Sequence, residues 1–165
     1  MSLIRKLVSG GQTGVDRAAL DFAIEHGIPY GGWVPRGGRA EDMLKPPGLL
    51  AVYPLLREHS SRDWAPRTEA NILHSGATLV VVNALHKMGP GTALTIRLAA
   101  KHHKPLLKLD VGDEYAYEKM PNFLAQFDRD IALNVAGSRE SSIPGIYEST
   151  KRLLESFLSH GIYAL

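Results

Sequence analysis

The 165-residue chain contains no cysteine, which excludes disulfide bonds and thiolate-bound metal. It has no H-E-x-x-H or similar ligand spacing, so we predict no metal site. It also has no apolar run of membrane-spanning length and no apolar leader before its first strand pattern. Its formal net charge is only +2, and its 19 Lys and Arg residues form no basic stripe. We therefore expect a cytoplasmic single domain, residues 1–165, that binds neither a membrane nor a nucleic acid polymer.

Short apolar runs alternate along the chain with helical patterns. The strand-like runs are residues 3–8, 78–82, 106–109 and 131–135, and the helical patterns are residues 15–26, 92–103, 115–127 and 147–158. The strand runs are nearly continuous in Val, Ile and Leu, which is typical of strands covered on both faces. This alternation predicts an α/β fold with a doubly wound, mostly parallel sheet and helices on both faces. The stretch 31–63 reads as a long loop that is functional or mobile.

A glycine-rich turn between the first strand and the first helix is the strongest local signal. It contains Gly10, Gly11, Gln12, Thr13 and Gly14. Glycines let the backbone approach a ligand closely, and the start of a helix offers unpaired N–H groups to an anion. The spacing matches neither the dinucleotide fingerprint nor the P-loop, so it predicts a phosphate or other anion without naming it. A tight turn with no ligand is the alternative interpretation.

Two later loops carry similar residues and are expected at the same edge of the sheet. One contains Gly89, Gly91 and Thr92, and the other contains Gly137, Arg139 and Ser141. Ligands of open α/β sheets bind where the loops that follow the strands gather, so the three loops predict one crevice for a phosphorylated small molecule.

Three more side chains are candidates for this crevice. Arg67 is expected to add a guanidinium group, although most single arginines are solvated surface residues. Trp33 is a candidate for stacking on a ring of the ligand or, alternatively, for packing. Asp16 either contributes to the site or merely favours the first turn of its helix. No nucleophile, base and acid set is evident, so we assign no catalytic residue.

With these residues in view, the chain resembles the family of proposed molybdenum cofactor carriers, a circularly permuted branch of the SLOG (Lonely-Guy-like) Rossmann superfamily. The matching segments are GGQTGVDRAALD at 10–21, GGWVPRGGRAED at 31–42, RTEANILHS at 67–75, GPGTALT at 89–95 and LNVAGSRES at 133–141. The resemblance implies a Rossmann-like sheet and a homo-oligomer, a dimer or tetramer. It also implies a crevice for a nucleotide-like or pterin-containing ligand, the molybdenum cofactor being one named candidate.

One departure from the superfamily bears on activity. Its phosphoribohydrolases resemble PGGxGTxxE, in which the glutamate serves hydrolysis, whereas this chain has Thr95 at that position. The resemblance therefore implies binding or carriage without hydrolysis. The alternative is a nucleotide-processing hydrolase with a relocated acid, for which Asp16, Glu69 and Glu140 are the candidates.

Overall fold

A five-stranded sheet forms the centre of the molecule. The structure is a computed structural model that describes residues 3–165, so the first two residues of the predicted domain lie outside it. The strands of this sheet are β1 (Ile4–Val8), β2 (Tyr30–Gly31), β5 (Ala77–Val82), β6 (Leu106–Asp110) and β7 (Ile131–Gly137). They stand in the order β2-β1-β7-β5-β6, and every neighbouring pair is parallel. This confirms the predicted parallel α/β fold.

Helices cover both faces of this sheet. They are α1 (Val15–Glu25), α2 (Leu49–Val52), α3 (Trp64–Leu73), α4 (Pro90–Lys101), α5 (Ala116–Leu124) and α6 (Ile146–Ser159). Helices α1, α5 and α6 pack together in one layer, and α3 packs against α4. Since the crossovers from β1 to β2 and from β5 to β6 run in opposite directions, right-handed connections place α1 and α4 on opposite faces. Strand β5 is accordingly buried at five successive residues.

Four of the six helices, α1, α4, α5 and α6, lie where the helical patterns of the sequence predict them. In α1 the residues Val15, Ala19, Phe22 and Ala23 are fully buried, at the i, i+4 and i+3 spacings of one helix face. Gly27, with φ of +66°, follows the helix and turns the chain toward β2. In the part of the chain that the structure describes, no helix is long and apolar enough to span a membrane.

The stretch 31–63 is more structured than a loop, and this corrects the sequence prediction. It contains α2 and a two-stranded parallel sheet of β3 (Trp33–Val34) and β4 (Arg57–Glu58). Its apolar side chains form a small second core with α1, made of Leu20, Val34, Ala40, Leu49, Tyr53 and Leu56. The Asn71 side chain of α3 bonds the backbone N–H and C=O of Trp33, at 2.7 and 2.9 Å. This amide therefore acts like a neighbouring strand and fastens β3 to α3.

The carboxyl edge of the large sheet has a topological switch point. From β1 the chain crosses to β2 on one side, and from β5 it crosses to β6 on the other, while β7 lies between β1 and β5. The loops that follow these three central strands leave the same edge, because all the strands are parallel. Such a point is where open α/β sheets form a crevice.

Candidate functional site

A cavity of about 320 Å³ lies at this switch point. Its volume falls in the range of small-molecule sites. Elements from four parts of the chain form its wall: the loop after β1 with the start of α1, helix α3, the loop after β5 with the start of α4, and the loop after β7. The lining residues are Gly10, Gln12, Asp16, Trp64, Arg67, Thr68, Asn71, Gly89, Pro90, Gly91, Thr92, Leu94, Thr95, Asn134, Ala136, Gly137, Ser138, Arg139, Ser141 and Ser142.

Most of the side chains and glycines predicted for the crevice line this cavity. They are Gly10, Gln12, Asp16, Arg67, Gly89, Gly91, Thr92, Gly137, Arg139 and Ser141. Gly11, Thr13 and Gly14 are not in the lining. A Cβ at Gly11 would lie 2.8 Å from the Leu49 side chain, and a Cβ at Gly14 would lie 2.4 Å from the Ser138 carbonyl oxygen. These two glycines therefore allow the loop after β1 to pack closely against α2 and against the loop after β7.

A buried ion pair lies at one wall of the cavity. Arg67 Nη1 lies 3.4 Å from Asp16 Oδ2, and the two residues are only 9% and 6% exposed. Burial raises the pKa of Asp16 and lowers that of Arg67, although each charge partly offsets the effect on the other. The absence of a side chain at Gly10 makes the pair possible, because a Cβ there would lie 1.5 Å from Arg67 Nη1.

Two buried donors beside this pair have no hydrogen-bond partner among the described residues. They are Arg67 Nε and Gln12 Nε2. The other amide atom of Gln12, Oε1, accepts hydrogen bonds from the backbone N–H groups of Thr13 and Glu41, which fixes the orientation of the amide. Unpartnered buried donors cost free energy. An acceptor on a ligand would remove that cost.

Two helix starts border the cavity, and both keep free backbone donors. At α1 the N–H groups of Gln12, Thr13 and Val15 bond Asp16, Gln12 and Ser138 respectively, whereas those of Gly11 and Asp16 donate no hydrogen bond to the described residues. At α4 the backbone N–H groups of Gly91 and Thr92 donate no hydrogen bond to the described residues. Both helix starts therefore keep backbone N–H groups that donate no hydrogen bond to the described residues, as an anion site requires.

Trp64 is an aromatic wall of the cavity that sequence reasoning missed. The guanidinium carbons of Arg39, Arg67 and Arg139 lie 5.2, 5.8 and 5.4 Å from its ring centroid. Trp33, for which stacking on a ligand and packing were the two alternatives, lies outside the lining and packs against His74, at 5.6 Å between ring centroids. Because Trp64 and Arg67 are three residues apart on α3, helical spacing gives the signal that links them.

Glu41 is the second residue that the sequence analysis missed. Its carboxylate accepts hydrogen bonds from Thr13 Oγ1 and from Ser141 Oγ, the latter at 2.6 Å, and lies 3.8 Å from Arg139 Nη1. Burial raises the pKa of Glu41, but the hydrogen bonds from Ser141 and Thr13 outweigh it and hold the pKa below its usual value. Glu41 thus joins the 31–63 segment to the first and third loops.

Of the three acids considered for a relocated catalytic role, one lines the cavity. Glu69 lies elsewhere and bonds His102 Nε2 at 2.6 Å. Glu140 accepts hydrogen bonds from the N–H groups of Gly145 and Tyr147, at 2.5 and 2.9 Å, and so caps the start of α6. Asp16 remains as the cavity acid. Within residues 3–165 no group of three or more His, Asp or Glu residues is arranged to hold a metal ion.

The position of the missing hydrolase glutamate lies on the cavity wall. Thr95 is 4% exposed, and its Oγ1 donates to the Gly91 carbonyl oxygen at 3.1 Å. Its hydroxyl is therefore engaged within the first turns of α4. A hydroxyl in this place has neither the charge nor the reach of a glutamate carboxylate.

A doubly wound parallel sheet with a donor-rich cavity at its switch point defines a Rossmann-like small-molecule binding fold. The chain belongs to the circularly permuted YpsA SLOG family, whose model matches residues 7–158.

A solved structure of a similar protein also supports a Rossmann-like small-molecule binding fold. The crystal structure of the "Putative molybdenum carrier protein" from Syntrophus aciditrophicus SB is 41% identical in sequence, with a TM-score of 0.83. The match covers 95% of this chain and 96% of that chain. A comparison with curated proteins gave no significant match. Fold and family together support a small-molecule binding role.

Proposed function

We propose that this protein binds and carries a phosphorylated small molecule, nucleotide-like or pterin-containing, in the cavity at the switch point. The phosphate would lie at the start of α4, against the N–H groups of Gly91 and Thr92 and the Thr92 hydroxyl, and within reach of Arg67 and Arg139. We further propose that the carrier acts in the cytoplasm as a homo-oligomer.

The observation that carries the proposal is the pair of unpartnered buried donors. Arg67 Nε and Gln12 Nε2 both belong to residues of the cavity wall and lack an acceptor among the described residues. An ordinary solvated arginine keeps its donors in water, whereas Arg67 is 9% exposed. A phosphate oxygen is the acceptor that best suits guanidinium and amide donors together.

The molybdenum cofactor is one candidate cargo. The related crystal structure carries the name of a molybdenum carrier. The donors of the cavity would suit a phosphate group on such a cargo, and Trp64 offers a flat aromatic surface for a ring. Because the chain has no cysteine, the cargo's metal would not be taken by a protein thiolate.

Binding of AMP, GMP and inorganic phosphate by isothermal titration calorimetry tests the proposal, with Thr92→Val as the variant. Thr92 is 4% exposed and lines the cavity. Replacing its hydroxyl with a methyl group should weaken phosphate binding by about 1.5 to 3 kcal/mol, since the lost hydrogen bond is to a charged group. Thr150→Val is the matched control, because Thr150 is also buried but lies outside the cavity. Equal losses in both variants, or no binding of any phosphate by the unmodified protein, would contradict the proposal.

Hydrolysis of a nucleotide is the second candidate function. The observation that favours it is the position of Asp16 in the cavity. This residue is a carboxylate in the cavity, and burial raises its pKa, as is typical of a general acid. Its pairing with Arg67 opposes that role, because the guanidinium stabilises the ionised form. Release of free base or phosphate from nucleoside monophosphates by the unmodified protein would favour the hydrolase over the carrier.

A further inference from the structure

The cavity wall carries both positive and negative side chains. A site that binds only an anion does not explain the negative one. Arg67 and Arg139 are the cationic side chains of the lining, and among the described residues that line the cavity Asp16 is the only acidic one. A carboxylate beside the cations weakens the attraction of the cavity for any oxyanion. Asp16 is 6% exposed, so solvent screens this effect little.

The two oxygens of the Asp16 carboxylate have different environments. Oδ2 accepts from the Gln12 N–H at 3.3 Å and from Arg67 Nη1 at 3.4 Å. Oδ1 accepts no hydrogen bond from residues 3–165, and it is not one of the fully buried atoms that lack a partner. Since Asp16 lines the cavity, Oδ1 is the carboxylate oxygen that remains available to a ligand.

We propose that Asp16 makes the cavity selective for phosphate esters that carry a hydroxyl or amine hydrogen near the phosphate, over bare oxyanions. The inference rests on the proposed function, because it assigns a second contact to the same ligand. The phosphate takes the donors of Arg67, Gln12 and the α4 start, and Asp16 Oδ1 accepts the hydrogen of the ligand's hydroxyl or amine. A hydrogen bond to a carboxylate is roughly twice as strong as one between neutral groups. An oxyanion without a hydrogen, such as sulfate, presents only lone pairs to this carboxylate and is repelled by it.

Two phosphate monoesters separate the two contacts. Methyl phosphate and ribose 5-phosphate have the same charged group and are both dianions at about pH 8, but only the sugar has hydroxyls. We expect the unmodified protein to bind ribose 5-phosphate at least about tenfold more tightly in calorimetry. In Asp16→Asn this preference should fall about five- to tenfold, because the neutral amide is a weaker acceptor. Methyl phosphate itself should bind more tightly to the variant, since the repelling charge is gone.

The matched control is Asp21→Asn, on the same helix. Asp21 accepts hydrogen bonds from the hydroxyls of Tyr53 and Tyr147 and lies outside the cavity lining. Its variant should keep the preference of the unmodified protein. If Asp16→Asn does not fold, Asp16→Ser retains a hydroxyl acceptor for the Gln12 N–H and serves the same comparison.

The outcomes distinguish this inference from the function on which it rests. Equal affinities of the two esters for the unmodified protein, or an unchanged ratio in Asp16→Asn, would overturn the selectivity and leave phosphate binding intact. A parallel loss of both affinities in the variant would assign Asp16 a purely structural role and would also overturn it. If the unmodified protein binds neither ester, the proposed function fails and the selectivity fails with it.

Discussion

Arg139 is the cavity cation whose removal should be cleanest. Its side chain is 43% exposed and lies 3.8 Å from the Glu41 carboxylate, so it contributes little to packing. Arg139→Ala should weaken phosphate binding by about 1.5 to 3 kcal/mol, the usual worth of a hydrogen bond to a charged group, with little change in the free energy of unfolding. Calorimetry and urea unfolding measure the two quantities. The control is Arg129→Ala, which removes an exposed arginine outside the cavity; an equal loss in both variants would exclude a local effect of Arg139.

A substitution at Gly10 tests whether the ion pair of Arg67 and Asp16 requires a residue without a side chain at this position. Because a Cβ at this position would lie 1.5 Å from Arg67 Nη1, Gly10→Ala forces the guanidinium away from Asp16. We expect the free energy of unfolding to fall by about 1 to 3 kcal/mol and phosphate binding to weaken.

Gly91→Ala is the matched control for Gly10→Ala. Gly91 also lines the cavity, but a Cβ there would meet no atom within 4 Å. As a helical position it should become more stable by about 0.5 to 1 kcal/mol. If the two alanine variants unfold at the same urea concentration, the close approach of Arg67 to Gly10 is not a constraint on the fold.

At single positions, the sequence predicts residue types better than their contacts. The glycines, Arg67 and Arg139 stand out because they lie beside turns and hydroxyls in the chain, and all of them except Gly11 and Gly14 line one cavity. Trp33 and Trp64 are equally plausible before folding. The choice between them depends on the long-range bonds between Asn71 and Trp33, which no local pattern encodes.

At the scale of single elements, helix α4 contains the position at which this chain differs from the phosphoribohydrolases, with Thr95 in place of their glutamate. Thr95→Glu restores a carboxylate one turn into the helix whose first N–H groups face the cavity. The unmodified protein should show at most trace hydrolysis of AMP, since a positioned acid or base contributes a factor of roughly 10² to 10⁴. Gain of base release by Thr95→Glu would support a shared ligand pose. Robust turnover without the substitution would instead direct attention to Asp16.

The contact between the 31–63 segment and the loops should depend on pH through Glu41. Its pKa is lower in the folded protein than the ordinary value of 4.5, so the carboxylate stabilises the fold above about pH 4.5. This contribution is lost as the pH falls through the lower, folded-state pKa. We expect the difference in free energy of unfolding between the unmodified protein and Glu41→Gln to be largest near neutral pH and to shrink in acid. Urea unfolding across this range measures it.

Glu114→Gln provides the comparison for Glu41→Gln. Glu114 is exposed and takes no part in the contact between the loops. Its substitution should leave the free energy of unfolding unchanged at every pH tested. A difference for Glu41→Gln that grows in acid would contradict the stabilising role of the carboxylate.

Most of the long elements were predictable, α3 being the exception, and the short ones were not. Helix α1 was predicted at residues 15–26 and lies at Val15–Glu25, because eleven residues repeat an apolar face three times. Strands β3 and β4 have two residues each, and α2 has four. Elements of this length are too short to show a hydrophobic periodicity in the sequence. Their formation depends on the core that Val34, Leu49 and Tyr53 build with α1.

At the scale of the whole molecule, ligand binding should stabilise the three loops together. The cavity is lined from the loops after β1, β5 and β7, so one ligand contacts segments far apart in the chain. At a ligand concentration one hundred times Kd the gain is about 2.7 kcal/mol, which raises Tm by about 5 to 10 °C. Amide hydrogen exchange should slow in all three loops at once. Protection confined to a single loop would contradict a shared cavity.

The predicted homo-oligomer is also a property of the whole molecule. Native mass spectrometry of protein purified without added ligand should give two or four times the mass of one chain. The same spectra show any retained cargo as additional mass. A monomer at micromolar concentration would contradict the predicted dimer or tetramer.

The position of β7 has a consequence for synthesis on the ribosome. This strand is the last of the sheet in chain order, yet it lies between β1 and β5. Until residues 131–137 emerge from the exit tunnel, the half formed by β2 and β1 and the half formed by β5 and β6 share no backbone hydrogen bonds, and each exposes an unpaired edge. Nascent chains arrested before this point therefore carry two edges open to aggregation, and the synthesis of residues 131–137 joins the two halves.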